Sequence, residues 1–449
     1  MFTGLKKQLE ISDILIENIL PLDNELVKLR KILNWEKINE VYSSCYRSQR
    51  GNKTKTTDIA LGLILLKHLY KKTDRALVAE LHLNNAYMHF CNVSYDEMVK
   101  VNRSAKKLID HFTLVKIRKR LGPEKIEKIL ALFTQELILK NIIDGKVLFT
   151  DTTSMEKNII YPTDVGLLSR LIKEAECVIQ NVTHKKMVIK SVALKKAKAV
   201  SRIYYSSAKK SKELLSSTTS SLLKIAKEQL IDAKNTTSSL TGLNMRRYQD
   251  LKEIGSKIIA QTAARLEGLK IGSRILSYHE PHTRALPKGK IGKPCEFGSK
   301  LALSMAANGY ISSHTLYSEN VADISTLENV ISDHKSKFGH YFEAAAADRA
   351  YYDEELMASL ERKHNIALSI PHKKRRDRLL EDSRQDLYDK RAAIEAKISE
   401  AKRMYGLSKS YYSGFDGDRM WAALAIMATN MRKLLRDIDR NPKLMLKFE

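Results

Sequence analysis

The segment VLFTDTT, residues 147–153, decides the fold, because a helical sequence gives way to strands there. It is a short β-rich run that follows an Asp-Gly turn signal. Before it, from residue 20 to about residue 143, apolar residues recur at spacings of three and four, as in LVKLRKILNWEKINEVY. The sequence therefore predicts a helical N-terminal domain over residues 1–143 and a central sheet that begins near Val147.

Strand signals return in the second half of the chain. They occur in RILSY (274–278), SKLALSM (299–305) and YISSHTLY (310–317), and are followed by a helix near 324–334, an apolar segment that ends at Asp348, a helix near 354–362, a strand near 366–370 and two closing helices. A meander of strands that then alternates with helices implies a mixed sheet flanked by helices. This order fits a ribonuclease H-like α/β core, and we expect one such catalytic domain over residues 144–449.

The sequence between these strand signals is long, helical and rich in Lys and Ser. Residues 161–270 carry 21 basic residues against 9 acidic residues, a net charge of +12. We therefore expect a basic helical insertion within the core over residues 165–269. A solvated helical hairpin with incidental positive charge is the alternative interpretation.

Composition points to a polyanionic partner. A chain of 449 residues with 43% apolar content is sufficient for two or three globular units, and a net charge of +26 exceeds what solubility requires. Double-stranded DNA is the first candidate and an anionic membrane surface the second. The most apolar run, residues 59–66, is too short to span a bilayer and no signal peptide is recognisable, so we expect a soluble cytoplasmic protein. The four scattered cysteines indicate neither a zinc cluster nor a disulfide framework.

Two aspartates follow apolar strand candidates. Asp151 ends one candidate and Asp348 ends another, and strand ends are where open α/β sheets commonly build their sites. Phosphodiester cleavage by two metal ions needs carboxylates held on rigid elements in this way. Taken singly, each aspartate also fits a helix cap or a turn.

A third carboxylate lies in a polar pattern of defined spacing, Y-x2-R-x3-E-x6-K. At 100° per residue, four side chains fall on one narrow helical stripe: Tyr388, Arg391, Glu395 and Lys402. The stripe borders an apolar face formed by Ile394, Ile398, Ala401 and Tyr405. A carboxylate placed there faces the core while its basic neighbours reach phosphates. An exposed charge ladder of Arg391 and Glu395 is the alternative.

With these residues in view, the chain resembles the bacterial insertion-sequence DDE transposases of the Y-R-E-K branch. The likeness lies in LFTDTTSMEKNIIYPTDVGLL, ADRAYYDEE, YDKRAAIEAKISEAKRMYGL and KGKIGKPCEFGSKLAL, with weaker likeness in the N-terminal helices and in WAALAIMATNMRKLL. It implies that Asp151, Asp348 and Glu395 are catalytic and bind two Mg²⁺ ions, for which Mn²⁺ can substitute. It also implies that Tyr388, Arg391 and Lys402 contact DNA and that a homodimer forms on DNA.

The chain departs from the family pattern at two positions. Ala350 stands where the second motif usually has Gly, and only Lys409 follows Gly406-Leu407 where further basic residues are expected. The resemblance therefore gives less support for DNA contact at the segment after Gly406-Leu407.

Other polar residues have competing interpretations. The run Lys373, Lys374, Arg375 and Arg376 precedes the Glu395 helix, so we expect phosphate contact there, although such runs are usually solvated loops. Asp164 is expected to be a helix N-cap and is the alternative ligand to Asp151. The YHEPH segment, with His279 and His282, lacks the spacing of a helical metal motif.

These observations predict a DNA transposase that performs metal-dependent strand cleavage and strand transfer of an insertion sequence. Two alternatives remain at this stage. One is a ribonuclease H-like nuclease without strand transfer, and the other is a DNA-binding descendant without enzymatic activity.

Overall fold

The computed structural model describes residues 20–46, 54–94, 96–97, 99, 107–182, 192–236, 242–290, 293–373 and 382–448. The chain forms two compact units. The core unit comprises Met1–Glu156, Lys300–Tyr317 and Val321–Glu449, and the insertion unit comprises Lys157–Ser299 and Ser318–Asn320.

The N-terminal part of the core unit is helical, as predicted. Its helices are α1 (Glu25–Ile32), α2 (Trp35–Ser43), α3 (Thr57–Leu69), α4 (Asp74–Glu80), α5 (Asn85–Phe90) and α6 (His111–Leu139). Each begins after a residue whose side chain accepts a backbone N–H of the first turn, as Asn34 does from Lys37 at 3.0 Å. Helix α6 is kinked at Gly122, where φ is 68° and Pro123 follows.

The most apolar run of the sequence forms the centre of helix α3, which is buried on nearly every side. A helix that is apolar all round belongs in the interior of a protein. Across the described ranges, no helix is long and apolar enough to cross a membrane.

The core unit contains a mixed sheet. Its strands are β1 (Val147–Lys157), β3 (Lys293–Ala306, from Lys300 onward), β4 (Ile311–Tyr317), β5 (Ala344–Ala346), β6 (Ala367–Ser369) and β7 (Lys409–Ser410). Strand β1 pairs in parallel with β5, β5 pairs in parallel with β6, and β3 pairs antiparallel with β4. The turn before β1 requires glycine, because a Cβ at Gly145 would lie 1.9 Å from the ring of Phe338.

Helices accompany this sheet, which confirms a mixed α/β core. They are α11 (Ile324–Phe338), α12 (Glu354–His364), α13 (Asp382–Lys390), α14 (Ala392–Met404) and α15 (Gly414–Arg440). Trp421 on α15 is 7% exposed and donates from its indole nitrogen to the carbonyl of Gly406 at 2.7 Å. Its role is therefore core packing, as its position on an apolar helical face predicts.

The insertion unit is built on four helices, α7 (Asp164–Val182), α8 (Val192–Ser206), α9 (Lys212–Asn235) and α10 (Gly242–Leu266), which share a hydrophobic cluster of their own. These helices agree with the expected helical character of residues 165–269 wherever the structure describes that segment. A hairpin of β2 (Arg284–Lys290) and the first part of β3 completes this unit.

The predicted strand at residues 274–278 is wrong. This segment pairs with no strand in the described structure, and the side chain of Gln261 takes the place of one. The amide of Gln261 donates to the carbonyl of Ile275 and accepts from its N–H, both at 2.9 Å. A side chain thus satisfies the backbone that an alternating pattern assigned to a sheet.

Candidate active site at the ends of the parallel strands

The parallel register places Asp151 and Asp348 at equivalent positions on neighbouring strands. Phe149 of β1 pairs with Ala346, the last residue of β5, and Asp151 and Asp348 each follow this pair by two residues. Asp348 keeps an extended backbone (φ −69°, ψ 161°), so both side chains are on the same face of the sheet. Neighbouring strands are about 4.8 Å apart, so two like charges are neighbours at the point where β5 ends.

One detail of the prediction needs correction, because Asp151 does not end its strand. Strand β1 continues to Lys157, and the N–H of Glu156 donates to the carbonyl of Ser408 at 2.9 Å. The end of β5, and not the end of β1, makes the carboxylate of Asp151 accessible.

Asp151 is the most perturbed carboxyl group of the site. Burial raises its pKa from 3.8 to about 6, with further increases from the nearby carboxylates of Asp348 and Glu395. The N–H of Thr152, which donates at 2.8 Å, and the guanidinium of Arg391 oppose this increase. The carboxylates of Asp348 and Glu395 are therefore close enough to influence Asp151 electrostatically.

Glu395 lies near Asp151 because Arg391 joins them. The guanidinium of Arg391 donates to Glu395 Oε1 at 2.8 Å, and its other terminal nitrogen is 3.9 Å from Asp151 Oδ2. The side chain of Arg391 is 10% exposed, whereas that of Glu395 is 58% exposed. It also stands over the ring of Tyr388, 5.3 Å from its centroid. Arg391 is thus turned towards the carboxylates in this structure.

The helix that carries the stripe is broken at Arg391. The N–H of Arg391 donates to Tyr388 and the N–H of Ile394 donates to Arg391, each three residues back, which makes a tight turn between α13 and α14. The predicted apolar face is confirmed, with all four members at most 8% exposed: Ile394, Ile398, Ala401 and Tyr405. These contacts hold Glu395 at the border between the core and solvent.

Helix α13 is fastened to the sheet next to Asp348. The guanidinium of Arg384 donates to the carbonyl of Leu368 at 3.0 Å, and the hydroxyl of Ser369 donates to the carbonyl of Arg384. The N–H of Ala347 donates to the carbonyl of Ser369 at 3.3 Å. Strand β6 thereby connects the Asp348 segment to the helices of Arg391 and Glu395.

The composition of the site fits hard divalent cations. Asp151 and Glu395 face one buried guanidinium, that of Arg391, two of whose nitrogens, Nε and Nη1, have no hydrogen-bond partner in the described structure. Oxygen ligands with excess negative charge are what Mg²⁺ and Mn²⁺ prefer. Among the described side chains, no three of His, Cys, Asp or Glu stand close enough to enclose a single ion. The arrangement is therefore an open cluster in which Arg391 lies between two of the carboxylates.

A supporting chain of polar groups was missed in the sequence. The hydroxyl of Thr152 donates to Asp323 Oδ1 at 2.5 Å, and the ammonium of Lys300 lies 2.6 Å from the same oxygen. Because the N–H of Thr152 also binds Asp151, these residues orient the carboxylate. Lys300 belongs to the segment KGKIGKPCEFGSKLAL, whose resemblance to the transposases was the available signal, whereas Asp323 had none.

The remaining predicted DNA contacts are only partly described. Tyr388 and Lys402 are half-buried near the site, and Lys373 is exposed after strand β6. Lys374, Arg375 and Arg376 lie outside the described residues. Contact of these side chains with DNA stays a prediction.

Asp164 does not have the predicted role. The side chain of Thr163, and not that of Asp164, caps helix α7 by accepting from Gly166 at 3.0 Å. Asp164 instead forms ion pairs with Arg265 and, at 3.0 Å, with Arg274. Two guanidinium groups neutralise this carboxylate, which leaves no charge for a metal ion to balance.

The YHEPH segment also makes polar side-chain contacts within the insertion unit. Glu280 lies 3.2 Å from the ammonium of Lys157 and 3.8 Å from His282 Nδ1, while His279 lies 3.5 Å from Glu174. These contacts fix the loop before β2 to its own unit.

Comparisons with known proteins match two parts of the chain to transposase domains. Residues 15–120 match a family model described as a transposase domain (DUF772), and residues 355–435, which include Arg391 and Glu395, match a transposase DDE domain. An uncharacterized protein, ORF8 in the nfe locus of Rhizobium meliloti, is 27% identical over 158 residues, 34% of this chain and 72% of that protein. No solved structure matches the chain.

Proposed function

We propose that this chain, which its two matched domains indicate to be an insertion-sequence DDE transposase, cleaves and joins DNA at Asp151, Asp348 and Glu395. The observation that carries this proposal is the parallel register that aligns the two aspartates, with Glu395 joined to Asp151 through Arg391. The Y-R-E-K branch and a ribonuclease H-like core are part of the proposal. The meander β1, β3, β4, followed by the parallel strands β5 and β6, supports that core.

Asp151, Asp348 and Glu395 would hold two Mg²⁺ ions, or Mn²⁺ in their place. These ions would neutralise charge on the attacked phosphate and increase the acidity of the attacking oxygen. The protein contributes rigidity, because Asp151 lies within β1, Asp348 follows β5 by two residues, and the N–H groups of Thr152 and Arg349 each fix one carboxylate oxygen.

The basic residues around the site would position DNA. Arg391 is available to a phosphate once cations balance the carboxylates, and Tyr388 supports its guanidinium plane. Lys402, Lys373 and the adjoining Lys374, Arg375 and Arg376 would neutralise further phosphates without reading bases.

The reaction would consist of two phosphoryl transfers. Water first attacks the phosphodiester at the element end, which frees a 3′-hydroxyl group. That hydroxyl then attacks a phosphodiester of target DNA in line and displaces its 3′-oxygen, with no covalent protein intermediate. Because the two steps share one chemistry, one site serves both. Joining both element ends needs an active site at each end, so we propose a homodimer on double-stranded DNA.

The test is a cleavage and joining assay on DNA that carries the gene with its native flanking sequence on both sides. Wild-type protein with Mg²⁺ should cut at the element ends and join them to a target plasmid. Asp348→Ala should do neither and still bind the DNA. The matched control is Asp389→Ala, which removes an exposed carboxylate from helix α13 and should leave both steps unchanged.

Each alternative function has its own outcome. Cutting without joining would indicate a nuclease, and binding without any Mg²⁺ dependence would indicate a DNA-binding descendant. Wild-type cleavage by Asp348→Ala would contradict the assignment of the site.

A further inference from the structure

The insertion unit contains a cavity of about 720 Å³, none of whose lining residues belongs to the candidate active site. It lies between helices α7 and α8, next to residues 158–163, and the loop that contains Tyr278 completes its wall. This volume is within the range of pockets that hold small organic ligands. All of its lining residues lie within the insertion unit.

The floor of the cavity is apolar. Leu167, Leu194 and Ala197 contribute to it, together with Leu276. Side chains of α8 at positions 194, 197, 198, 201, 202 and 205 line the cavity, so one complete helical face is directed into it. Ala197 on this face is buried, whereas Lys198, Arg202 and Tyr205 on the same face are exposed.

Large apolar and aromatic side chains stand exposed at the edge. Ile160 is 91% exposed, Tyr161 is 74% exposed and Tyr205 is 53% exposed, and all three line the cavity. Tyr161 is held from behind by an edge contact with the ring of Phe297, 5.5 Å between centroids. The aromatic rings are thus presented to solvent on a supported surface.

The rim is positively charged. Four exposed basic side chains line it: Arg170, Lys173, Lys198 and Arg202. The acidic lining residue, Glu280, is engaged by Lys157 at 3.2 Å. Exposed rings above an apolar floor, surrounded by cations, are the combination by which proteins bind unpaired nucleotides.

We infer that this cavity binds single-stranded DNA, with bases stacked on Tyr161 and Tyr205 and phosphates at Lys173, Lys198 and Arg202. A duplex fits the observations less well, because its bases are stacked inside the helix and cannot reach the tyrosine rings. Its charged phosphates would instead face the apolar floor. The inference rests on the proposed function, which supplies DNA as the substrate class.

The experiment measures binding of a fluorescein-labelled oligothymidylate of about 12 nucleotides by fluorescence anisotropy, in EDTA so that no cleavage occurs. The double variant Tyr161→Ala/Tyr205→Ala should bind at least about tenfold more weakly than wild type. Tyr161→Phe/Tyr205→Phe keeps the rings and should bind within about twofold of wild type. An abasic strand of the same length should bind wild type more weakly than oligothymidylate does. The tyrosine substitutions should not change its affinity.

The charge contribution is tested separately. Lys173→Gln/Lys198→Gln/Arg202→Gln should reduce the slope of log affinity against log salt by about two, as expected for three phosphate contacts with a single strand. The matched control is Lys212→Gln/Lys224→Gln/Lys227→Gln, which removes the same charge from exposed positions of helix α9 outside the cavity. The control variant should retain most of the wild-type slope of log affinity against log salt.

Several results would overturn the inference. If the abasic strand binds wild type as tightly as oligothymidylate does, the tyrosines do not stack on bases. If the two triple variants reduce the salt-dependence slope equally, only the net charge of the protein matters. Normal strand binding by the tyrosine variant, together with altered self-association in sedimentation, would assign the cavity to a contact between copies of this chain. Circular dichroism melts of every variant exclude loss of folding as the cause.

Failure of this inference and failure of the proposed function are distinguishable. A protein that cleaves element ends but does not bind the single strand through this cavity contradicts the inference alone. A protein that binds the strand there but shows no Mg²⁺-dependent cleavage contradicts the proposed function alone.

Discussion

Asp151 and Asp164 are two aspartates of nearby sequence that experience opposite surroundings. In the core unit, Asp151 shares its environment with two other carboxylates and has one guanidinium, 3.9 Å away. In the insertion unit, Asp164 is held between Arg265 and Arg274. The balance of charge around an aspartate, and not its place at the start or end of an element, therefore separates a candidate metal ligand from a structural ion pair.

The two aspartates should differ most in their effect on catalysis. Asp151→Ala should reduce Mg²⁺-dependent cleavage by about a thousandfold or more, because metal ions supply several kcal/mol of transition-state stabilisation. Asp164→Ala should cleave at close to the wild-type rate per folded molecule. Single-turnover cleavage of the flanked DNA substrate measures both, and equal losses would erase the distinction.

The stability of the metal-free protein should respond to Asp151 with a characteristic pH dependence. Its raised pKa means that the folded state favours the protonated carboxyl. That stabilisation is complete below about pH 4 and is lost as the pH rises through about 6. Asp151→Asn should therefore raise the free energy of unfolding at pH 7.5 by up to about 3 kcal/mol and give no gain at pH 4. Urea unfolding in EDTA at both pH values tests this, and a loss of stability at pH 7.5 would contradict it.

Asp164→Asn should change stability in the opposite direction. Removing the carboxylate leaves Arg265 and Arg274 without their shared partner and should lower the free energy of unfolding by about 2 kcal/mol. The measurement is urea unfolding at pH 7.5, with Asp250→Asn on the exposed surface of α10 as the control. A stabilising effect of Asp164→Asn would show that its ion pairs are not favourable.

A smaller effect is expected for Arg391→Gln. The metal-free variant should lose about 1 kcal/mol, because Arg391 is the cation between Asp151 and the largely exposed Glu395. Mg²⁺ should stabilise this variant more than it stabilises wild type, since added cations take over the neutralisation. Thermal melts with and without Mg²⁺ compare the two proteins, and equal Mg²⁺ shifts would argue against an ion site beside Arg391.

The sequence predicted what depends on local pattern. Apolar runs located the strand that carries Asp151 and the strand that precedes Asp348, and helical spacing located the face that buries Ile394 and Ile398. Local pattern does not predict contacts between segments that are distant in the sequence. Nothing near Asp164 indicates that Arg265 and Arg274 converge on it.

Two local failures have the same origin. The segment at 274–278 alternates like a strand, yet a glutamine from helix α10 satisfies its backbone. The Arg391 segment has helical spacing, yet it turns between two helices. In both places, tertiary contacts decided between conformations that the local sequence permits.

The most direct test of the proposed metal site is to measure Mn²⁺ binding by titration calorimetry at pH 7.5 without DNA. Wild type and Asp164→Asn should bind at least one Mn²⁺ per chain with the same affinity. Asp151→Asn and Asp348→Asn should each weaken that binding by about tenfold or more, as expected when a carboxylate ligand is lost. Unchanged Mn²⁺ binding by Asp151→Asn and Asp348→Asn would contradict the claim that these carboxylates hold the catalytic ions.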